Sequence, residues 1–168
     1  MQKSKTQKLC MAGILCAVAV AGSMFSFPVF SSRCAPVQHM VNILCAVMLG
    51  PWYGFGAAFC ASLLRNMFGL GSLMAFPGSM LGALLCGIVY GKTKNYTFTI
   101  IAEIFGTAVL GGLCAYPVAV LLMGVGAGDI AFYAYVFPFF VSTAGGGILS
   151  AIIISFLRKA GLIDIHNS

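Results

Sequence analysis

Charge almost vanishes across residues 9 to 157: only Arg33, Arg65, Lys92, Lys94, Glu103 and Asp129 interrupt the apolar sequence. A soluble domain cannot be made from such a stretch, because it would lack the polar surface needed to cover its core. With 61% hydrophobic and 7% charged residues among 168, the chain reads as an all-α integral membrane protein. It is expected to be a single membrane domain over residues 1–168. The strands of a membrane barrel would alternate apolar and polar residues, and these runs do not.

Turn residues and charges divide the sequence into six apolar segments, roughly 9–30, 37–49, 52–68, 76–90, 97–123 and 131–157. The spacing predicts a six-transmembrane-helix bundle. The second segment is short, about 20 Å at 1.5 Å per residue, and Gly50-Pro51 ends it because proline lacks the donor a continuing helix needs. Trp52 and Tyr53 read as interfacial anchors. Pro117 is expected to bend the fifth helix, and Gly145-Gly146-Gly147 reads as a flexible run in the sixth. Residues 27–36 read as a loop. A cleaved signal peptide competes for the first segment, since Ala17-Val18-Ala19 resembles a cleavage site. The apolar run is long for that, which favours a spanning helix.

The formal net charge of +6 does not point to nucleic acid. Lys3, Lys5, Lys8, Lys92, Lys94, Arg158 and Lys159, seven of the nine basic residues, all flank apolar segments on one side of the six-helix arrangement. The excess of basic residues on cytoplasmic flanks then puts both termini inside. Gly13, Ala17 and Ala21 recur every fourth residue and form a smooth stripe where another helix can approach, either within the bundle or from a partner. The seven cysteines form no C-x-x-C pair and read as small core residues; Cys34 stands apart in a loop.

Catalysis finds little support. Gly87-Ile88-Val89-Tyr90-Gly91-Lys92-Thr93 is one residue short of a phosphate loop and follows a membrane helix instead of a strand. Of the three acids, Glu103, Asp129 and Asp164, only Glu103 lies well inside a membrane segment, so no paired-carboxylate site forms. His39 and His166 have too few companions for a metal site. No enzyme activity, metal or cofactor is expected.

The polar residues inside the apolar runs are more informative. Arg65 and Asn66 stand at the end of the third segment, and Ser72 and Ser79 flank the turn into the fourth. Gln38, His39 and Asn42 begin the second, with Gln38 and Asn42 on one helical face. In the six-helix topology all of these fall at the outer level. With Phe76, Tyr116, Tyr133 and Tyr135 nearby, they read as a pocket for a small polar molecule, or as groups that bond one another and the headgroups. Glu103 can pair with Arg65, cap polar groups or meet a ligand, with structural pairing ranked first.

Cys34-Ala35-Pro36-Val37-Gln38-His39-Met40-Val41-Asn42, Leu49-Gly50-Pro51-Trp52-Tyr53-Gly54, Ser62-Leu63-Leu64-Arg65-Asn66 and Gly71-Ser72-Leu73-Met74-Ala75-Phe76-Pro77-Gly78-Ser79 together resemble the ThiW family. Its members are substrate-binding (S) components of energy-coupling factor (ECF) transporters, associated with the thiazole precursor of thiamine. The resemblance covers nearly the whole chain and implies a multi-pass protein of a prokaryotic cell membrane. Such a protein captures hydroxyethylthiazole or a close relative, phosphorylated or not, from outside. It works with a membrane coupling subunit and two ATPase subunits, and Gly13, Ala17 and Ala21 match the pattern that docks on the coupling subunit. The competing reading, from another class, is a small homo-oligomeric channel or facilitator.

Overall fold

A computed structural model of the chain describes residues 4–29, 32–126 and 128–161; Lys3, Asp164 and His166 lie outside them. Helix α1 spans Lys5–Gly22. It begins ahead of residue 9 because Ser4 and Gln7 cap it reciprocally. Ser4 Oγ accepts from Gln7 N at 3.2 Å, and Gln7 Oε1 accepts from Ser4 N at 2.9 Å. It ends well short of residue 30, where Ser23 Oγ donates back to Ala19 O at 2.7 Å. A single 3-10 turn, Ser23–Phe25, then leads into an antiparallel hairpin of β1 (Phe27–Val29) and β2 (Ser32–Cys34), with Phe27 opposite Cys34. The segment read as helix end and loop therefore contains the one pair of strands among the described residues.

Helix α2 (Pro36–Met48) starts on a proline, whose missing N–H would have had no helical partner there. It is short because it is enclosed: residues 38–46 are all buried, and α2 packs against the other long helices instead of lipid. Its polar side chains are thus solvated by protein, which is what makes them tolerable at membrane depth. Gly50, at φ 94°, turns the chain into α3 (Pro51–Met67).

Helix α4 spans Ala75–Thr93. Residues 87–93, which look like a phosphate loop in sequence, are helical throughout, and Thr93 Oγ1 donates to Val89 O at 2.8 Å. Helix α5 (Tyr96–Leu122) is capped by Asn95 and contains a wider π segment, Phe105–Gly111, upstream of Pro117.

Helix α6 (Val136–Lys159) starts later than residue 131. That start puts Pro138 in the first turn, where a proline costs no helical hydrogen bond. The triple glycine is a contact surface within α6, not an interruption of it. A Cβ on Gly146 would lie 2.6 Å from both His39 Cβ and Pro36 O, so only glycine lets α2 approach this closely. Gly78 and Gly82 on α4 meet Gly106 and Gly111 on α5 in the same way.

The outer surface is apolar, with Leu9, Ile14, Phe98, Ile148, Ile152 and Phe156 all exposed. Lys5–Phe25, Ala75–Thr93, Tyr96–Leu122 and Val136–Lys159 are long and apolar enough to cross a bilayer.

Candidate functional site

Helix α2 begins, α3 ends and α4 begins at one end of the bundle, where the hairpin folds over them. The hairpin is tied down on α6: Cys34 Sγ donates to Pro138 O at 3.1 Å, and Ala35 N to Ser142 Oγ at 2.8 Å. Beneath it lies a cavity of about 30 Å³. Its polar lining comes from Arg33 on the hairpin, Gln38 and His39 on α2, Arg65 on α3, Ser79 on α4, Thr107 on α5 and Ser142 on α6. Ala35, Ala75, Gly78 and Phe139 complete the wall.

Two networks hold these side chains. In the first, Arg65 is only 3% exposed and its Nη1 donates to Gln38 Oε1 at 3.0 Å. The chain after α3 wraps around this arginine. Leu70 N and Gly71 N both donate to Arg65 O, at 2.8 and 3.1 Å. Asn66 Nδ2 clips the turn by donating to Ser62 O at 2.8 Å and Ser72 O at 3.2 Å. Asn66→Ala leaves two carbonyls without that donor and is expected to cost about 1–2 kcal/mol. A thermal melt in detergent checks this, and an unchanged midpoint would remove Asn66 from the account.

The second network centres on Glu103, which is fully buried. Its Oε1 accepts from Asn42 Nδ2 at 2.9 Å and His39 Nδ1 at 3.0 Å, and lies 3.3 Å from Thr107 Oγ1. A carboxylate oxygen only accepts, so His39 donates from Nδ1, and its Nε2 forms no hydrogen bond among the described residues. Asn42 Nδ2 also donates to Ser79 O at 3.2 Å. Ser79 Oγ donates to Ala75 O at 2.9 Å, which makes Ser62 the donor in the 2.8 Å Ser62–Ser79 hydroxyl pair.

Of the residues picked out by sequence, Gln38, His39, Arg65 and Ser79 line the cavity, and Asn42 and Glu103 lie directly behind them. Glu103 pairs with His39 and not with Arg65, through the 3.0 Å contact of Nδ1 with Oε1. Asn66 and Ser72 act through the turn that holds Arg65. Phe76 is away from the cavity lining, its ring tilted against that of Phe59 with centroids 5.8 Å apart. Tyr135 is buried among Met74, Ala108, Ala115 and Ala119, and hands its place at the cavity to Phe139. Tyr116 is half-buried and Tyr133 exposed, both outside the lining. Sequence reasoning missed Thr107, although it lies one helical turn from Glu103. It also missed Ser142 and Arg33, for which only the hairpin contact supplies a signal.

The apolar exterior and the polar-lined cavity define a helical membrane protein with its polar chemistry at one end. Comparison with known proteins makes this specific. The chain matches the family model described as thiamine-precursor transporter protein (ThiW) over residues 9–160, and it belongs to that family. Its task is therefore transport and not catalysis. Among solved structures it is similar to ThiT from Listeria monocytogenes, with a TM-score of 0.61 and 21% identity over 94% of this chain and 96% of that one, a likeness of fold. No curated protein matches.

Proposed function

We propose that this chain is the substrate-capture (S) component of an ECF-type importer, binding a thiazole-type thiamine precursor such as hydroxyethylthiazole from outside. The observation that carries the reading is the polar cavity under the hairpin, in a chain of the ThiW family. In this reading the six helices form one membrane domain of a prokaryotic plasma membrane and both termini are cytoplasmic. The placement of Lys5, Lys8, Lys92, Lys94, Arg158 and Lys159 supports this, because the helix ends they flank lie opposite the cavity.

Ligand contact falls to Gln38, His39, Arg65 and Ser79. Asn42 and Glu103 hold His39, while Asn66 and Ser72 hold Arg65. A neutral thiazole with a hydroxyethyl arm asks for a donor, an acceptor and a flat wall, which Gln38 Nε2, His39 Nε2 and Phe139 supply. The cavity has room for about two waters, so a substituted thiazole enters only as the wall gives way. Purified protein should gain thermal stability with saturating hydroxyethylthiazole, by about 2.7 kcal/mol at a hundredfold excess over Kd. No stabilisation by any thiazole would sink the reading.

Delivery requires a coupling subunit and two partner ATPases. Gly13, Ala17 and Ala21 are all exposed on α1, whereas Ala12, Cys16 and Ala19 face the core. Close approach by a partner helix fits that stripe. Ala17→Trp is expected to abolish uptake in cells carrying the whole transporter while leaving thiazole affinity within about threefold, since the added bulk points away from the cavity. Normal uptake by this variant would move the docking face elsewhere.

A further inference from the structure

We infer that the transported thiazole carries an oxyanion, a phosphate monoester, received between Arg65 and Arg33; this deepens the transport reading and rests on it. The argument starts from a charge that the protein does not neutralise. Arg65 is 3% exposed, and a buried guanidinium is costly unless an anion or a full set of acceptors meets it. Among the described residues its side chain has one acceptor, the neutral amide oxygen of Gln38, and its Nε has no partner. That accounts for one of five donors.

No carboxylate is at hand to complete the set. Glu103 and Asp129 are the acids among the described residues. Glu103 is engaged by His39, Asn42 and Thr107, and Asp129 is an exposed residue of the loop between α5 and α6 that does not line the cavity. The buried amide nitrogen of Gln38 also lacks a partner, which leaves a second donor unused beside the first.

Arg33 adds a second guanidinium to the same cavity, held among the described residues by a 3.5 Å contact from Nη1 to Gly69 O. The site therefore has two positive groups, the unused amide donor of Gln38 and no acid in its lining. A neutral ligand would leave the buried charge of Arg65 unanswered and make no use of the exposed guanidinium of Arg33 beside it. A phosphate ester supplies three acceptor oxygens and up to two negative charges, and the planar fork of an arginine matches two of those oxygens at once.

The test compares four probes on the purified full chain by calorimetry: hydroxyethylthiazole, its phosphate monoester, a thiazole carboxylate and inorganic phosphate. The phosphate monoester is expected to bind at least tenfold more tightly than the alcohol, and more tightly than the carboxylate or inorganic phosphate. Arg65→Gln and Arg33→Gln should each cut that preference at least fivefold, whatever happens to the alcohol itself. Arg33 is exposed, so its variant carries the test if the Arg65 variant fails to fold.

Equal or tighter binding of the alcohol overturns the inference and leaves the transport reading intact, as does a preference that survives both substitutions. Tightest binding of the carboxylate overturns the choice of phosphate. If no thiazole binds at all, the transport reading falls, and the inference with it.

Discussion

Glu103→Leu is expected to lower stability by about 3–5 kcal/mol, the scale seen when one partner of a buried charged network is removed. Leucine is close in size, so the loss is one of acceptors and not of volume. It strands His39 Nδ1–H, and Asn42 Nδ2 keeps only its 3.2 Å contact to Ser79 O. Thr107 keeps its contact to Gly78 O, also 3.2 Å, and suffers least.

Glu103→Gln separates charge from hydrogen bonding. It preserves an acceptor at Oε1 but must put an amide NH₂ at the Oε2 position, which has no partner and lies close against Gly82. A loss of about 1–2 kcal/mol is expected, from one unsatisfied buried donor. Thermal melts of the three proteins in one detergent give the order wild type, Gln, Leu. A Leu variant melting with wild type would mean that the network does not hold α2 to α5. Ligand affinity should follow the same order, because losing the acceptor frees His39 to change tautomer and orientation.

The residues of this network were legible in the sequence, but their pairing was not. A carboxylate, an imidazole and an amide within apolar runs are conspicuous, since each is expensive in lipid. Depth along a straight helix, however, does not say which neighbours a side chain meets. Glu103 looked like a partner for Arg65 because they are the two intramembrane charges; α2, lying between α4, α5 and α6, intercepts it with His39 and Asn42 instead.

The aromatic assignments failed for a related reason. Phe76 is next to Ala75 in sequence but points to another face of α4, toward Phe59. Tyr135 shares a face with Phe139, one turn away, and packs against its ring at 6.5 Å without reaching the cavity lining. The hairpin was hidden because three-residue strands carry almost no periodic signal. The triple glycine was misleading in another way. Glycine means freedom only where nothing packs on it, and here α2 does.

The second large effect is expected from Gly111→Val, which should unfold the protein or cost at least about 3 kcal/mol. A Cβ at Gly111 meets the α4 backbone at Gly78, with Gly78 N only 3.1 Å away. Backbone cannot rotate out of the way as a side chain can, so α4 and α5 would have to separate. That movement would also open the contacts of Gly106 with Gly82 and of Gly82 with Glu103.

Gly91→Ala is the matched control. Gly91 is a helical glycine with nothing within 4 Å of an added Cβ, so alanine should be neutral or gain up to about 1 kcal/mol from helix propensity. If both variants elute as monodisperse protein and melt together, close packing of α4 on α5 is not what holds the cavity. If only Gly111→Val collapses, the position of Gly78 in the cavity wall depends on that packing, and the glycines at this crossing shape the site without touching a ligand.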